Sequence, residues 1–78
     1  KIRDRILGEN GVKRFIGTIS QMELAYGFII TDGRGDNVFL HRDDVEETTW
    51  DSLVQGSRVS FEIGFTFGGP KALQIRLM

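Results

Sequence analysis

The chain of 78 residues contains no cysteine, one histidine and one proline. Without cysteine there is neither a disulfide nor a thiolate ligand, and a single histidine argues against a structural zinc site. No apolar run approaches the roughly 20 residues of a membrane-spanning helix, and nothing resembles a signal peptide. We therefore expect a cytoplasmic protein without a metal or cofactor.

An excess of either charge is also lacking. Ten Lys and Arg residues face eleven Asp and Glu residues, which gives a formal net charge of −1. A protein that binds nucleic acid mainly through electrostatics would be clearly basic. Base stacking on aromatic rings needs no large net charge, so the balance predicts a shallow salt dependence and leaves such binding open.

What the chain does have is ten glycines, with turn signals about every ten residues and no sustained helical period. This pattern is typical of an all-β sandwich or barrel. The predicted strands are residues 12–22, 25–31, 37–41, 57–66 and 71–78, with a long connection at 42–56 that contains one helical turn. Five strands with one long break fit a five-stranded antiparallel OB-fold barrel.

The first eleven residues are assigned to a loosely held N-terminal extension, and the domain itself to residues 12–78. Ile2, Ile6 and Leu7 of the extension are candidates for docking on the barrel. Phe15 and Phe61 are predicted to lie in the core. Phe65 and Phe67 flank the last predicted turn and receive no functional assignment.

Strict alternation divides the second and third strands into two faces. The inward set is predicted to be Gly27, Ile29, Val38 and Leu40. The outward set is predicted to be Tyr26, Phe28, Phe39 and His41. Exposed rings serve no packing purpose in an isolated small domain, but each can stack on an unpaired base for about 1–3 kcal/mol.

Two short segments in these strands resemble the paired RNA-binding motifs of cold-shock domains. Residues 26–29 read Y-G-F-I and residues 38–41 read V-F-L-H, and the family has K-G-F-G-F-I and V-F-V-H. Residues 17–19, 53–56, 59–63 and 69–75 resemble further family segments in the same order. The resemblance implies an OB fold that binds single-stranded RNA or DNA, with a mild pyrimidine preference and a passive chaperone action.

The chain also departs from the family's pattern. Bacterial cold-shock proteins continue their first strand as K-W-F-N, where this chain has Ser20, Gln21 and Met22. Leu24 and Ala25 replace the first motif's lysine and glycine, and the connection between the first two strands is shorter. This shortened hairpin is more similar to the domains of the eukaryotic upstream-of-N-ras family, some of which bind RNA poorly.

Residues outside the two motifs complete the predicted site. Trp50 either reaches the ligand, as a phenylalanine of that connection does in the resembled family, or packs against the edge of the barrel. Arg42 stands where the family has an aromatic residue, and a guanidinium plane also stacks on bases. The candidate phosphate contacts are Lys13, Arg14, Arg34, Arg58 and Lys71.

An enzyme is a poor interpretation of the same residues. His41 has no second histidine, cysteine or paired nucleophile in the pattern, so it is predicted to stack or to form a hydrogen bond. The acids at 43, 44, 46 and 47 lack the spacing of a calcium loop and are predicted to be a solvated loop. The alternative to nucleic-acid binding is a divergent module of weak affinity, which acts as a spacer or protein-interaction domain in a longer protein.

Overall fold

A computed structural model describes residues 13–78. The predicted extension at residues 1–11, including Ile2, Ile6 and Leu7, lies outside the described residues. Within residues 13–78 no helix has the length and apolar character needed to cross a membrane.

Five strands form a closed barrel. They are β1 (Phe15–Met22), β2 (Tyr26–Thr31), β3 (Asn37–His41), β4 (Arg58–Thr66) and β5 (Gly69–Leu77). The order around the barrel is β1-β2-β3-β5-β4, and pairing of β1 with β4 closes it. All pairs are antiparallel except β3 with β5, which is parallel. The predicted OB-type barrel is confirmed.

The long connection between β3 and β4 holds more helix than the one predicted turn. A 3-10 turn covers Arg42–Asp44, and helix α1 covers Glu47–Ser52. Helix α1 contributes Trp50 to the barrel core, and the residue after the helix, Leu53, is buried beside it.

The last hairpin is tighter than the sequence indicated. β5 begins at Gly69 instead of residue 71, and only Phe67 and Gly68 form the turn. Pro70 lies outside the turn and pairs with Phe65 near the start of β5. A proline is tolerated at this position because its missing N–H is not needed near the beginning of a strand.

The core follows the predicted alternation. Ile29, Val38 and Leu40 are fully buried, as is Phe61 of β4. Gly27 faces the same interior, where an added Cβ would lie 2.6 Å from the carbonyl oxygen of Gln21. The predicted inward set is therefore confirmed, and Gly27 occupies a position too crowded for any larger residue. Phe15 is only partly buried and packs against the core from its edge.

Two irregularities change the phase within strands. In β1 the register moves from Ile19 opposite Ile29 to Gln21 opposite Phe28, which leaves Ser20 as an extra residue. A bulge of this kind inverts the alternation beyond it. It brings the side chain of Gln21 onto the outer face of the barrel. In β5, Gln74 has a φ of 51° at a similar shift.

Candidate nucleic-acid interface

The predicted rings gather on the outer face of β2 and β3. Tyr26 pairs with His41, and Phe28 pairs with Phe39, in the antiparallel register. Directly opposed residues in a sheet point to the same side. We call these four side chains the aromatic face.

The rings of the aromatic face contact one another in sequence. The centroid of Phe39 lies 5.8 Å from that of Phe28, 6.1 Å from that of Tyr26 and 6.0 Å from that of His41. Tyr26 and Phe28 meet edge to face at 6.0 Å. Tyr26 is 38% exposed and the other three are partly exposed. Mutual contact fixes the rings while their outer surfaces remain open to solvent.

His41 has a defined hydrogen-bonding state. Its Nδ1 accepts a hydrogen bond from the backbone N–H of Asp43 at 3.0 Å. In the neutral ring the proton therefore lies on Nε2, because one imidazole nitrogen accepts while the other donates. The edge of the aromatic face thus offers one N–H donor, which suits a base carbonyl or a phosphate oxygen.

Polar residues extend the central row of the face on both sides. Gln21 of β1 lies opposite Phe28, and Lys71 of β5 lies beside Phe39. Gln21 is exposed, and its amide donates a hydrogen bond to the Glu23 carboxylate at 2.9 Å. The position that flanks Phe28 therefore carries a flat amide instead of a ring.

A hollow lies next to Phe28 and Phe39. It has a volume of about 400 Å³, and its other lining residues are Thr66, Gly68 and Pro70 of the β4–β5 hairpin. The sequence pattern had assigned no binding role to the turn of this hairpin. The available signal was the pair of phenylalanines, 65 and 67, on either side of Thr66 beside two glycines.

Comparison with known protein families assigns the sequence that forms this surface to one family. The 'Cold-shock' DNA-binding domain profile matches residues 15–78. The chain belongs to the cold-shock domain family. This is a family of nucleic-acid-binding domains, and the resemblance inferred from the two motifs and the further segments is confirmed.

Individual bacterial proteins show the same likeness. The chain is 42% identical over 53 residues to cold shock protein CspD of Bacillus subtilis. The aligned segment covers 68% of this chain and 79% of that protein. It is 34% identical over 56 residues to a cold shock protein of Arthrobacter globiformis, with coverages of 72% and 84%. The cold shock-like protein CspA of Bordetella pertussis is 30% identical over 70 residues, with coverages of 90% and 98%. The suggested similarity of the first hairpin to upstream-of-N-ras domains stays a prediction.

Four of the five predicted phosphate contacts of this cold-shock domain lie within ion-pair distance of a carboxylate, and Arg58 and Lys71 are two of them. Arg58 donates hydrogen bonds to both oxygens of Asp32, one at 2.8 Å, and a further one to Thr18. The Nζ of Lys71 lies 2.7 Å from Oδ2 of Asp44. The hydrogen bond from Arg58 holds the pKa of Asp32 below its ordinary value of 3.8, and raises that of Arg58. A phosphate at either cation has to compete with a carboxylate already in place.

The remaining predicted cations are scattered. The guanidinium of Arg42 lies 6.0 Å from the Trp50 ring and donates to the carbonyl of Leu24. Arg14 donates to Ser60, to the carbonyl of Gln74 and to the Glu62 carboxylate at 3.5 Å, away from the aromatic face. Lys13 and Arg34 both lie over the ring of Phe15, and Arg34 also pairs with Asp36 at 2.7 Å.

Two positions were open for Trp50, a ligand contact or packing against the barrel, and in the structure it packs against the barrel. Its side chain is only 6% exposed and belongs to the core cluster. An indole this deeply buried cannot stack on a base, so the assignment of Trp50 to the binding residues is corrected. The spacing of Trp50 and Leu53 within and just after α1 explains the burial, because residues three apart share a face of a helix.

The acidic residues after β3 do not converge on one point. Among residues 13–78 no group of three or more His, Cys, Asp or Glu side chains is arranged to hold a metal ion. Asp43 is exposed beside His41, whereas Asp44 turns toward Lys71.

Proposed function

We propose that this domain binds single-stranded RNA or DNA by stacking unpaired bases on Tyr26, Phe28, Phe39 and His41. The observation that carries the proposal is the register of β2 and β3, which presents four rings on one outer surface. The family of the chain supports nucleic acid as the ligand. No covalent step is part of the proposed function.

Stacking gives the proposed site its main affinity. At about 1–3 kcal/mol per base, two or three occupied rings supply several kcal/mol without any sequence-specific contact. His41 Nε2 adds one hydrogen-bond donor, and Arg42 lies next to His41 at the end of β3. We propose a tolerance for many sequences, a mild pyrimidine preference, and a shift of RNA hairpins toward open forms when unpaired strands are bound.

The test is a titration of fluorescein-labelled oligo-U and oligo-T heptamers, followed by anisotropy at low salt. We expect saturable binding with a Kd below about 100 μM, which is the weak limit of non-specific contacts. The double variant Phe28→Ala, Phe39→Ala removes two stacking surfaces and should weaken binding at least tenfold. Chemical-shift mapping with both oligomers compares the two sugars on the same surface.

Phe67→Ala is the matched control. Phe67 is fully exposed at the hairpin tip and lines neither the aromatic face nor the hollow, so its loss should leave the affinity unchanged. Circular dichroism and a thermal melt establish that each variant is folded. Equal affinity of the double variant and the unaltered domain would rule out stacking on these rings.

A divergent module of weak affinity, acting as a spacer or protein-interaction domain, is the second candidate. It is favoured by the carboxylates that engage Arg58 and Lys71 and by the amide of Gln21 beside Phe28. Such a module should show no saturable binding in the same titration, and no change on loss of Phe28 and Phe39.

A further inference from the structure

A second groove lies between the beginning of β1, the β2–β3 loop and the β4–β5 hairpin. Phe15, Phe65 and Pro70 form apolar parts of its lining, and its volume is about 250 Å³. Phe65 is 82% exposed although it belongs to a strand. Exposure of a large ring beside an apolar depression is the pattern of a binding site more than of packing.

Cations accompany the rings of this groove. Lys13 Nζ lies 5.3 Å from the centroid of Phe15, and Arg34 Cζ lies 5.4 Å from it. Asp36 also lines the groove and pairs with Arg34 at 2.7 Å. Two cations and one carboxylate leave the lining with a positive balance, which suits a ligand that combines a flat ring with a negative charge.

The groove adjoins the hollow beside the aromatic face. Pro70 lines both the groove and the hollow beside Phe28 and Phe39. β3 and β5 pair at Phe39 and Lys71. A nucleic-acid strand that leaves the hollow can therefore reach the groove by crossing Pro70.

We propose that this groove holds one further unpaired base of the same strand that lies on the aromatic face. The base stacks against the exposed ring of Phe65, and its phosphate lies near Lys13 and Arg34, the two cations over the ring of Phe15. The volume is below the 300–1,000 Å³ of sites for drug-sized ligands and fits a single ring system. This inference rests on the proposed function, since it extends the path of the same ligand.

The test compares oligothymidylates of four and ten nucleotides, within the range of site sizes of OB folds. Phe65→Ala should weaken binding of the ten-nucleotide strand about fivefold or more, because one stacking surface is lost. It should change binding of the four-nucleotide strand less than twofold, since that strand is held on the aromatic face. Phe67→Ala, at a neighbouring exposed ring outside the groove, should change neither.

A second readout is independent of the variants. The methyl groups of Ile63 line the groove and should shift in a carbon-13 correlation spectrum with the longer strand only. A loss of affinity in Phe65→Ala that is equal for both lengths would place Phe65 on the main path and overturn the proposal.

The variant Phe28→Ala distinguishes failure of the proposed function from failure of the groove proposal. If it weakens both oligomers while Phe65→Ala weakens neither, the aromatic face stands and the groove is not a base site. That result is also expected if the groove takes an apolar side chain of a protein. If the unaltered domain binds neither oligomer, the proposed function fails and the groove inference fails with it.

Discussion

Gln21→Trp should strengthen single-strand binding. The bulge at Ser20 sets Gln21 opposite Phe28 on the outer face of the barrel. Opposed side chains in an antiparallel pair have Cβ atoms about 4.5–5.5 Å apart. An indole at this position therefore comes to lie next to Phe28 and extends the aromatic face by one ring.

The size of the effect follows from one added stacking surface. One more stacked base contributes about 1–3 kcal/mol, which corresponds to a factor of about 5 to 150 in Kd. The lower end of this range applies because residue 21 is exposed, so an indole there is less firmly positioned than a packed ring. In the free domain the Gln21 amide donates a hydrogen bond to the exposed Glu23 carboxylate. We expect roughly five- to tenfold tighter binding of an oligo-T heptamer.

The assay is the anisotropy titration of the labelled heptamer, at several salt concentrations. The gain should persist as salt is raised, because stacking carries no charge. Gln55→Trp is the matched control, since Gln55 is an exposed glutamine in the turn before β4. If the Gln21→Trp variant binds with an affinity within twofold of the unaltered domain, the position of residue 21 beside the aromatic face is refuted.

Two further predictions concern stability. Gly27→Ala places a methyl 2.6 Å from the backbone oxygen of Gln21, so it should destabilise the domain by about 1–3 kcal/mol in urea unfolding. Asp32 has a lowered pKa in the folded state, so its ion pair with Arg58 stabilises the fold above pH 3.8 and this contribution is lost as the pH falls through the lowered pKa. Asp32→Asn should therefore be less stable than the unaltered domain at neutral pH, and the difference should shrink in acid.

Each stability prediction has its own contradicting outcome. For Gly27, Gly33→Ala is a useful comparison, since Gly33 has no atom within 4 Å of its added Cβ but has a φ of 77°. Crowding should make Gly27→Ala less stable than Gly33→Ala. A lower stability of Gly33→Ala would contradict the prediction. For Asp32, a stability difference that stays constant from pH 7 to pH 2 would show that the ion pair contributes nothing.

The strand phase of the site was predictable from the sequence. In β2 and β3 the aliphatic and ring-bearing residues alternate without interruption, and a period of two leaves only one way to bury Val38 and Leu40. Phe39 and His41 must then point outward, as they do. The two short motifs indicated the family together with the further segments at 17–19, 53–56, 59–63 and 69–75, which follow in the family's order.

The surroundings of that face were not predictable in the same way. Trp50 fits either a ligand contact or a core position by its type, and only the packing of α1 against the barrel decides for burial. The bulge at Ser20 turns residue 21 outward, and the residue types around Ser20 do not predict a bulge. The pattern around Phe65 marks a hairpin, but only the closed barrel brings this ring to the groove beside Phe15.

The sequence by itself determined the strands, the inward and outward sets of β2 and β3, and the family, since these depend on local alternation and short motifs. Tertiary structure decided which cations are free for a ligand. Asp32 and Arg58 are 26 positions apart, and Asp44 and Lys71 meet only because β5 lies beside β3. Charge pairing across a barrel depends on which strands become neighbours, and that is a property of the closed sheet and of no single segment.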